Sequence, residues 1–194
     1  KLPRDLSDMT STLVKVKALK PDLLVVSGHS KGAALVVRQM NDLGVHVKML
    51  ALTHCESAKL HDTEKFGNLA DYTLCAAQWA PSVTSEGVMF GTAGNYSAIF
   101  ESEYGYVPPY QAAESTAAVL VMADALTRAG SLDKDAVRDA LAATDMSTFY
   151  GQIKFSEAGN NIAKPMLLRQ LIDGKYYVVA PANVADTALV YPRP

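Results

Sequence analysis

Pro21-Asp22-Leu23-Leu24-Val25-Val26-Ser27-Gly28-His29-Ser30-Lys31-Gly32 places a continuous apolar run directly before a turn of small and polar residues. Such a run is the pattern of a parallel strand buried on both faces, and Gly28 to Gly32 supply the turn that follows it. Upstream, Met9, Leu13, Val16 and Leu19 recur at helical spacing, with Asp5 or Ser7 as N-cap and Pro21 as the stop. Downstream, Ala33 to Leu43 reads as a second helix, with Leu35, Val36, Met40 and Leu43 inward and Gly44 as its cap. Val47 to Thr53 and Tyr72 to Gln78 repeat the strand pattern around a polar segment from Glu56 to Asn68. Strand, helix, strand in this rhythm predicts an α/β parallel sheet flanked by helices.

The second half has a different character. Helices are expected over Thr92 to Tyr104 and Gln111 to Arg128, with Gly130 ending the latter, and Ser131 is expected to cap a helix through Ala136, Val137 and Leu141. Phe149 to Phe155, Lys164 to Ile172 and Lys175 to Val179 read as strands, the last two joined by an Asp173-Gly174 hairpin turn. Helices followed by an antiparallel hairpin suggest a chain that leaves one lobe, visits another and returns, with Pro81, Pro108 and Pro109 marking the crossings.

Composition narrows the partners. The 194 residues are 49% hydrophobic and 20% charged, with net charge -2 and no runs of one sign, so no basic face is assembled for nucleic acid or anionic lipid. The longest apolar stretch, Ala117 to Ala123, is far short of the roughly 20 residues of a membrane span. No secretory leader is visible in the chain. Cys55 and Cys75 can pair in an oxidising compartment, but Cys75 lies in an apolar strand pattern where a buried free thiol is the commoner state.

Gly28-His29-Ser30-Lys31-Gly32 matches the G-x-S-x-G turn that lifts a nucleophilic serine between strand and helix in α/β-hydrolases. That chemistry needs a later acid and then a histidine, yet no histidine occurs from Asp62 to Pro194. A glycine-bearing turn is expected in any case at the ligand end of a parallel sheet. No phosphate-cradling G-x-G-x-x-G or Walker loop is present, so no nucleotide cofactor is expected. His54, Cys55 and His61 lack a fourth ligand at metal-site spacing and read as ordinary residues, so no metal is expected.

Further along, Tyr104-Gly105-Tyr106-Val107-Pro108-Pro109-Tyr110, Ala123-Asp124-Ala125-Leu126-Thr127-Arg128-Ala129-Gly130, Val137-Arg138-Asp139-Ala140-Leu141, Tyr150-Gly151-Gln152-Ile153-Lys154-Phe155 and Tyr191-Pro192-Arg193-Pro194 follow in order. Together with Pro21 to His29, the helix ending Val36 to Met40, and Leu43-Gly44-Val45, they resemble the leucine/isoleucine/valine-binding family of type I periplasmic solute-binding proteins of ABC transporters. The resemblance implies two α/β lobes closing on a solute, and a chain that is the C-terminal part of a longer protein. Residues 1–107 are then a second-lobe ligand-binding domain, 108–163 helices and a strand of the first lobe, and 164–194 a return to the second lobe with the hairpin and tail. Leu120, Val121 and Leu126 would lie on a helix whose covering sheet is not encoded here.

The implied function is substrate capture for an ABC importer in the periplasm, without catalysis, cofactor or metal. The partners are a small solute (an amino acid, an aromatic or aliphatic carboxylate, or an amide) and a membrane permease. A ligand-sensing regulator of the same fold is the alternative, and a serine hydrolase at Ser30 a lesser one. The site residues expected are Ser27, Gly28, His29, Ser30, Thr53, His54, Trp79, Tyr110, Gln111 and Glu114. His29 stands where the family presents an aromatic residue. Thr53 stands where an acid grips the ligand ammonium, with Glu56 nearby. The same residues have plainer readings: His29 as a solvated loop residue, Trp79 as hinge packing, Glu114 as complement to a helix dipole.

Overall fold

The computed structural model describes residues 6–194; the expected cap Asp5 lies outside them. Helix α1 (Thr10–Leu19) has Met9 rather than Ser7 at its N-cap position, and Lys20 ends it in a left-handed conformation, its N–H returning to Val16 O. Strand β1 (Leu23–Val26) leads through the Ser27 to His29 turn into α2 (Ser30–Asp42), which begins three residues earlier than expected and is followed by β2 (Met49–Leu52). The polar segment holds one short helix, α3 (Thr63–Phe66), capped by Asp62, whose carboxylate accepts from Lys65 N–H. Strand β3 (Leu74–Ala77) completes the first pass.

The chain then enters a second compact unit, Gln78–Met166. Two short strands, β4 (Glu86–Gly87) and β5 (Gly91–Thr92), precede α4 (Ala93–Tyr104), where Thr92 Oγ1 accepts from Asn95 N–H. Helix α5 (Tyr110–Ala129) starts after Pro109 and ends at the left-handed Gly130. Asp133, not Ser131, caps α6 (Lys134–Ala142), accepting from Asp135 and Ala136 N–H, while Ser131 Oγ accepts from Asp133 N–H one step earlier. The expected strand over Phe149 to Phe155 is a hairpin, β6 (Asp145–Thr148) against β7 (Gly151–Lys154), with Phe149 and Tyr150 at its turn. Strands β8 (Leu167–Ile172) and β9 (Lys175–Ala180) return to the first unit through the expected turn, with Asp173 and Gly174 both at positive φ.

The first unit is a five-stranded sheet in the order β1-β2-β3-β8-β9, the first three parallel and the last two antiparallel. Paired residues point the same way, so Val26, Leu52, Cys75, Arg169 and Val178 share one face. That face meets Leu13 of α1, Val36, Val37 and Met40 of α2, and Leu60 and Phe66 of the polar segment. On the other face, Gln170 and Leu74 lie under the C-terminal segment, where Gln170 and Val190 exchange two hydrogen bonds at 2.9 and 3.0 Å. Leu23 and Val25 on that face of β1 remain 52% and 62% exposed, so β1 is an edge strand covered on one side only, not on both. Cys55 and Cys75, expected as thiols, form a disulfide that ties the segment after β2 to β3.

In the second unit, Trp79, Tyr96 and Phe149 form the centre. Tyr96 and Phe149 stack with centroids 3.9 Å apart, Trp79 meets both edge-on, and Trp79 Nε1 donates to Phe149 O at 3.1 Å. This aromatic core holds residues 78–107 with the unit that follows; the first unit runs to Ala77 and resumes at Leu167, and Pro108 and Pro109 lie within the second unit. Leu120 and Val121 are buried in the same core, so they are not an uncovered face; the large apolar residues that α5 exposes are Val119 and Met122. No helix among the described residues is long and apolar enough to cross a membrane.

Candidate functional site

The ends of β1 and β2 are tied together by one side chain. Thr53 Oγ1 accepts from Gly28 N–H at 3.0 Å and donates to Gly28 O at 2.8 Å, so the two loop tips are held by a reciprocal pair of hydrogen bonds. This fixes the next residue of each loop. His29, in extended conformation, immediately precedes α2, and His54 turns out of β2 with φ 61°. Their rings stand 5.6 Å apart at 53°. His29 is exposed, whereas His54 Nδ1 is buried and has no hydrogen-bond partner. A buried polar nitrogen left unpaired carries a desolvation cost that a solute group at this position would relieve.

The first turn of α2 adds backbone N–H groups of Ser30 to Gly32, orphaned as at any helix start and favourable to an anion. Ser30 itself takes an ordinary backbone conformation, not a positive φ, and no hydrogen bond joins it to a histidine among the described residues. The strained elbow and the base of a serine hydrolase are both missing from this turn.

Glu56, the alternative acid, is engaged elsewhere. It pairs with Arg169 at 2.7 Å in a nearly dry setting, the guanidinium lying 4.8 Å from the Tyr176 ring centroid. Burial, and then the Glu56 charge, pushes the Tyr176 phenol well above its ordinary range. His61 packs against Tyr176, 5.6 Å between centroids, and Cys55 is in the disulfide, which disperses the His54, Cys55 and His61 group.

The structure therefore brings Gly28, His29, Thr53 and His54 together, with Ser27 and Ser30 flanking them. Trp79, Tyr110, Gln111 and Glu114 belong to the second unit. Trp79, expected at a cleft wall, is 1% exposed and packs in the core. Tyr110 and Gln111 open α5, and Glu114 is exposed one turn on.

One group in the second unit has no signal in the sequence pattern. The Lys164 side chain crosses Gly151, where any Cβ would collide with its methylenes, and its ammonium donates to Gln78 O and sits 4.4 Å from the Tyr150 ring centroid. Burial pulls its pKa down from 10.5 to about 8, with Glu114 opposing the shift in part. Burial also raises the Tyr150 phenol, helped by Glu114 and Tyr110.

A groove of the first unit, about 1120 Å³, lies at the opposite, amino ends of the strands, between Asp22, Lys48, Tyr72 and the C-terminal Pro192 to Pro194. The chain's own tail occupies one wall, with Arg193 N–H donating to Lys48 O. Ligand recognition in parallel sheets belongs to the carboxyl ends, where the histidine pair stands.

The family described as periplasmic binding protein matches residues 1–175. Similar solved structures include a leucine-binding protein from Thermotoga maritima, 23% identical, covering 91% of this chain and 49% of that one at a TM-score of 0.79. A branched-chain amino acid transporter substrate-binding protein from Streptococcus pneumoniae, solved with isoleucine, is 20% identical, covering 97% and 50% at 0.72. A solute-binding protein of an ABC transporter from R. palustris, solved with benzoate, is 21% identical, covering 95% and 50% at 0.69. At these identities the likeness establishes the fold. The chain spans about half the length of each.

Proposed function

Because the chain belongs to the periplasmic binding protein family, we propose that it captures a small solute at the carboxyl ends of β1 and β2, outside the cytoplasm, and delivers it to an ABC permease. The observation that carries this reading is the orphaned His54 Nδ1 beside His29, at loop tips locked together by Thr53. Ser27, Gly28 and Ser30 complete this wall; for the second unit taken by itself, Tyr110, Gln111 and Glu114 at the start of α5 are the proposed solute-contacting residues. In lobe terms, the first unit is the second lobe of the family fold and the second unit part of the first.

Solute chemistry follows from what the loops offer. Thr53 replaces an acid, and Glu56 is neutralised by Arg169, so among the described residues neither of these two loop positions offers a free carboxylate to an ammonium. Imidazoles and helix N–H groups suit a carboxylate or amide. A small carboxylate with an apolar or aromatic body fits better than a zwitterion. The protein binds and does not catalyse.

Calorimetric titration with benzoate, benzamide and leucine tests this. Saturable binding, strongest for the carboxylate and weakened by His54→Ala, is the expected result. Absence of binding for all three, with ester hydrolysis that disappears in Ser30→Ala, would replace it with the hydrolase.

A further inference from the structure

A charge taken out of water needs a partner, and several cations of this chain have one. Arg169 has Glu56, Arg128 has Asp124, and Lys48 has Asp22 in the open. Burial depresses two cations that no ion pair holds among the described residues: Arg193 in the C-terminal tail of the first unit and, in the second unit, Lys164. The Lys164 methylenes lie in the space that Gly151 leaves, and its ammonium rests against Tyr150. Its one hydrogen-bond acceptor is the neutral Gln78 carbonyl, and no carboxylate forms an ion pair with it among the described residues. Glu114 on α5 contributes a field, but it is exposed and screened.

An ammonium retains two further donors beyond the one given to Gln78 O. Holding it half-buried and unpaired destabilises the protein, and that cost is recovered when an anion arrives. The buried Tyr150 ring backs the charge with an apolar wall, and Tyr110 stands close enough to act on the same phenol. With a single ammonium to match and Glu114 repelling excess negative charge, one anionic group is accommodated rather than two.

We propose that Lys164 is the anion-recognising residue of the second unit, its ammonium meeting the carboxylate of a small monoanionic solute beside the Tyr150 ring; this rests on the solute-binding reading above. Such a residue ties affinity to protonation. Around pH 8 a fraction of the amine is neutral before binding and charged after it, so the complex takes up protons from buffer.

The test is calorimetry of the protein with benzoate and its uncharged counterpart benzamide, for wild type, Lys164→Met and Lys164→Arg. Methionine keeps the methylene packing and lacks the charge; arginine keeps the charge. Benzoate affinity should fall about tenfold or more in Lys164→Met, as loss of a charge-assisted hydrogen bond implies, and recover in Lys164→Arg, with benzamide nearly unaffected throughout. In wild type near pH 8, the heat of benzoate binding should depend on buffer ionisation enthalpy, and that dependence should vanish in Lys164→Met. Equal benzoate affinity in wild type and Lys164→Met, or no proton uptake, overturns the assignment while solute binding stands. So does a wild type that binds benzamide or leucine but not benzoate. A wild type that binds none of the three overturns both.

Discussion

Arg169 Nη1 donates to Glu56 Oε1 at 2.7 Å across 113 positions of sequence, with the two side chains only 5% and 12% exposed. The pair joins β8 to the segment that begins at His54, one residue before the disulfide-bonded Cys55. Glu56 Oε2 and Arg169 Nε have no further partner, so each charge depends on the other. Two covalent or ionic ties thus hold the segment whose first residues form one side of the candidate site.

Removing one member of a buried pair strands the other. Arg169→Met should lower unfolding free energy by about 3 to 5 kcal/mol, and Glu56→Gln by a comparable amount. The double variant should be less destabilised than the sum of the two, because no unpaired charge remains. Urea unfolding of the four proteins measures this. Additive effects would show that the pair carries no coupling.

The disulfide closes a loop of 20 residues between Cys55 and Cys75. Loop-closure entropy assigns such a link about 3 kcal/mol. Replacing both cysteines by serine should lower the midpoint of thermal unfolding accordingly, while dithiothreitol should act slowly on the native protein because both sulfurs are buried. Rapid reduction without unfolding would contradict that burial.

Much of this fold is legible in the chain itself, for identifiable reasons. Leu23 to Val26, Met49 to Leu52 and Leu74 to Ala77 are apolar runs bounded by turn residues, and the Asp173-Gly174 turn supplies both positive φ angles that a tight hairpin needs. The β6–β7 hairpin escapes such reading because its turn is Phe149-Tyr150, two aromatic residues of strand propensity drawn into the Trp79 core. In the site, His29 follows from its place between strand and helix. Lys164 does not, because its surroundings come from Tyr150 and Gly151 and nothing in its own neighbourhood repeats. The disulfide is hidden for a related reason: in sequence Cys75 is one apolar strand residue among others.

Lys164 also makes stability depend on pH. Its folded pKa is about 8 against 10.5 in the open chain, so between these values the unfolded state binds more protons and stability rises with pH. The contribution is greatest above 10.5 and is lost as pH falls through 8. Lys164→Met should therefore unfold at higher temperature than wild type at neutral pH, with the gap closing as pH is raised through that window. Scanning calorimetry across it gives the answer, and a pH-independent gap would place the ammonium in water.

Thr53 is the most economical handle on the candidate site. Its hydroxyl satisfies both the N–H and the C=O of Gly28, and among the described residues no other side-chain hydrogen bond joins the two loop tips. Thr53→Val keeps the shape of the side chain and leaves two half-buried backbone groups unpaired, which should cost about 1 to 3 kcal/mol of stability. Thr53→Ser keeps the hydroxyl and should cost less than about 1 kcal/mol. The binding consequence separates a site from a mere strut. With the tie gone, the His29 and His54 rings lose their fixed 5.6 Å spacing, so benzoate should bind roughly tenfold more weakly to Thr53→Val than to Thr53→Ser at a temperature where both are fully folded. Equal dissociation constants, with the stability difference intact, would make the Thr53 bridge a structural brace and move solute recognition away from these two loops.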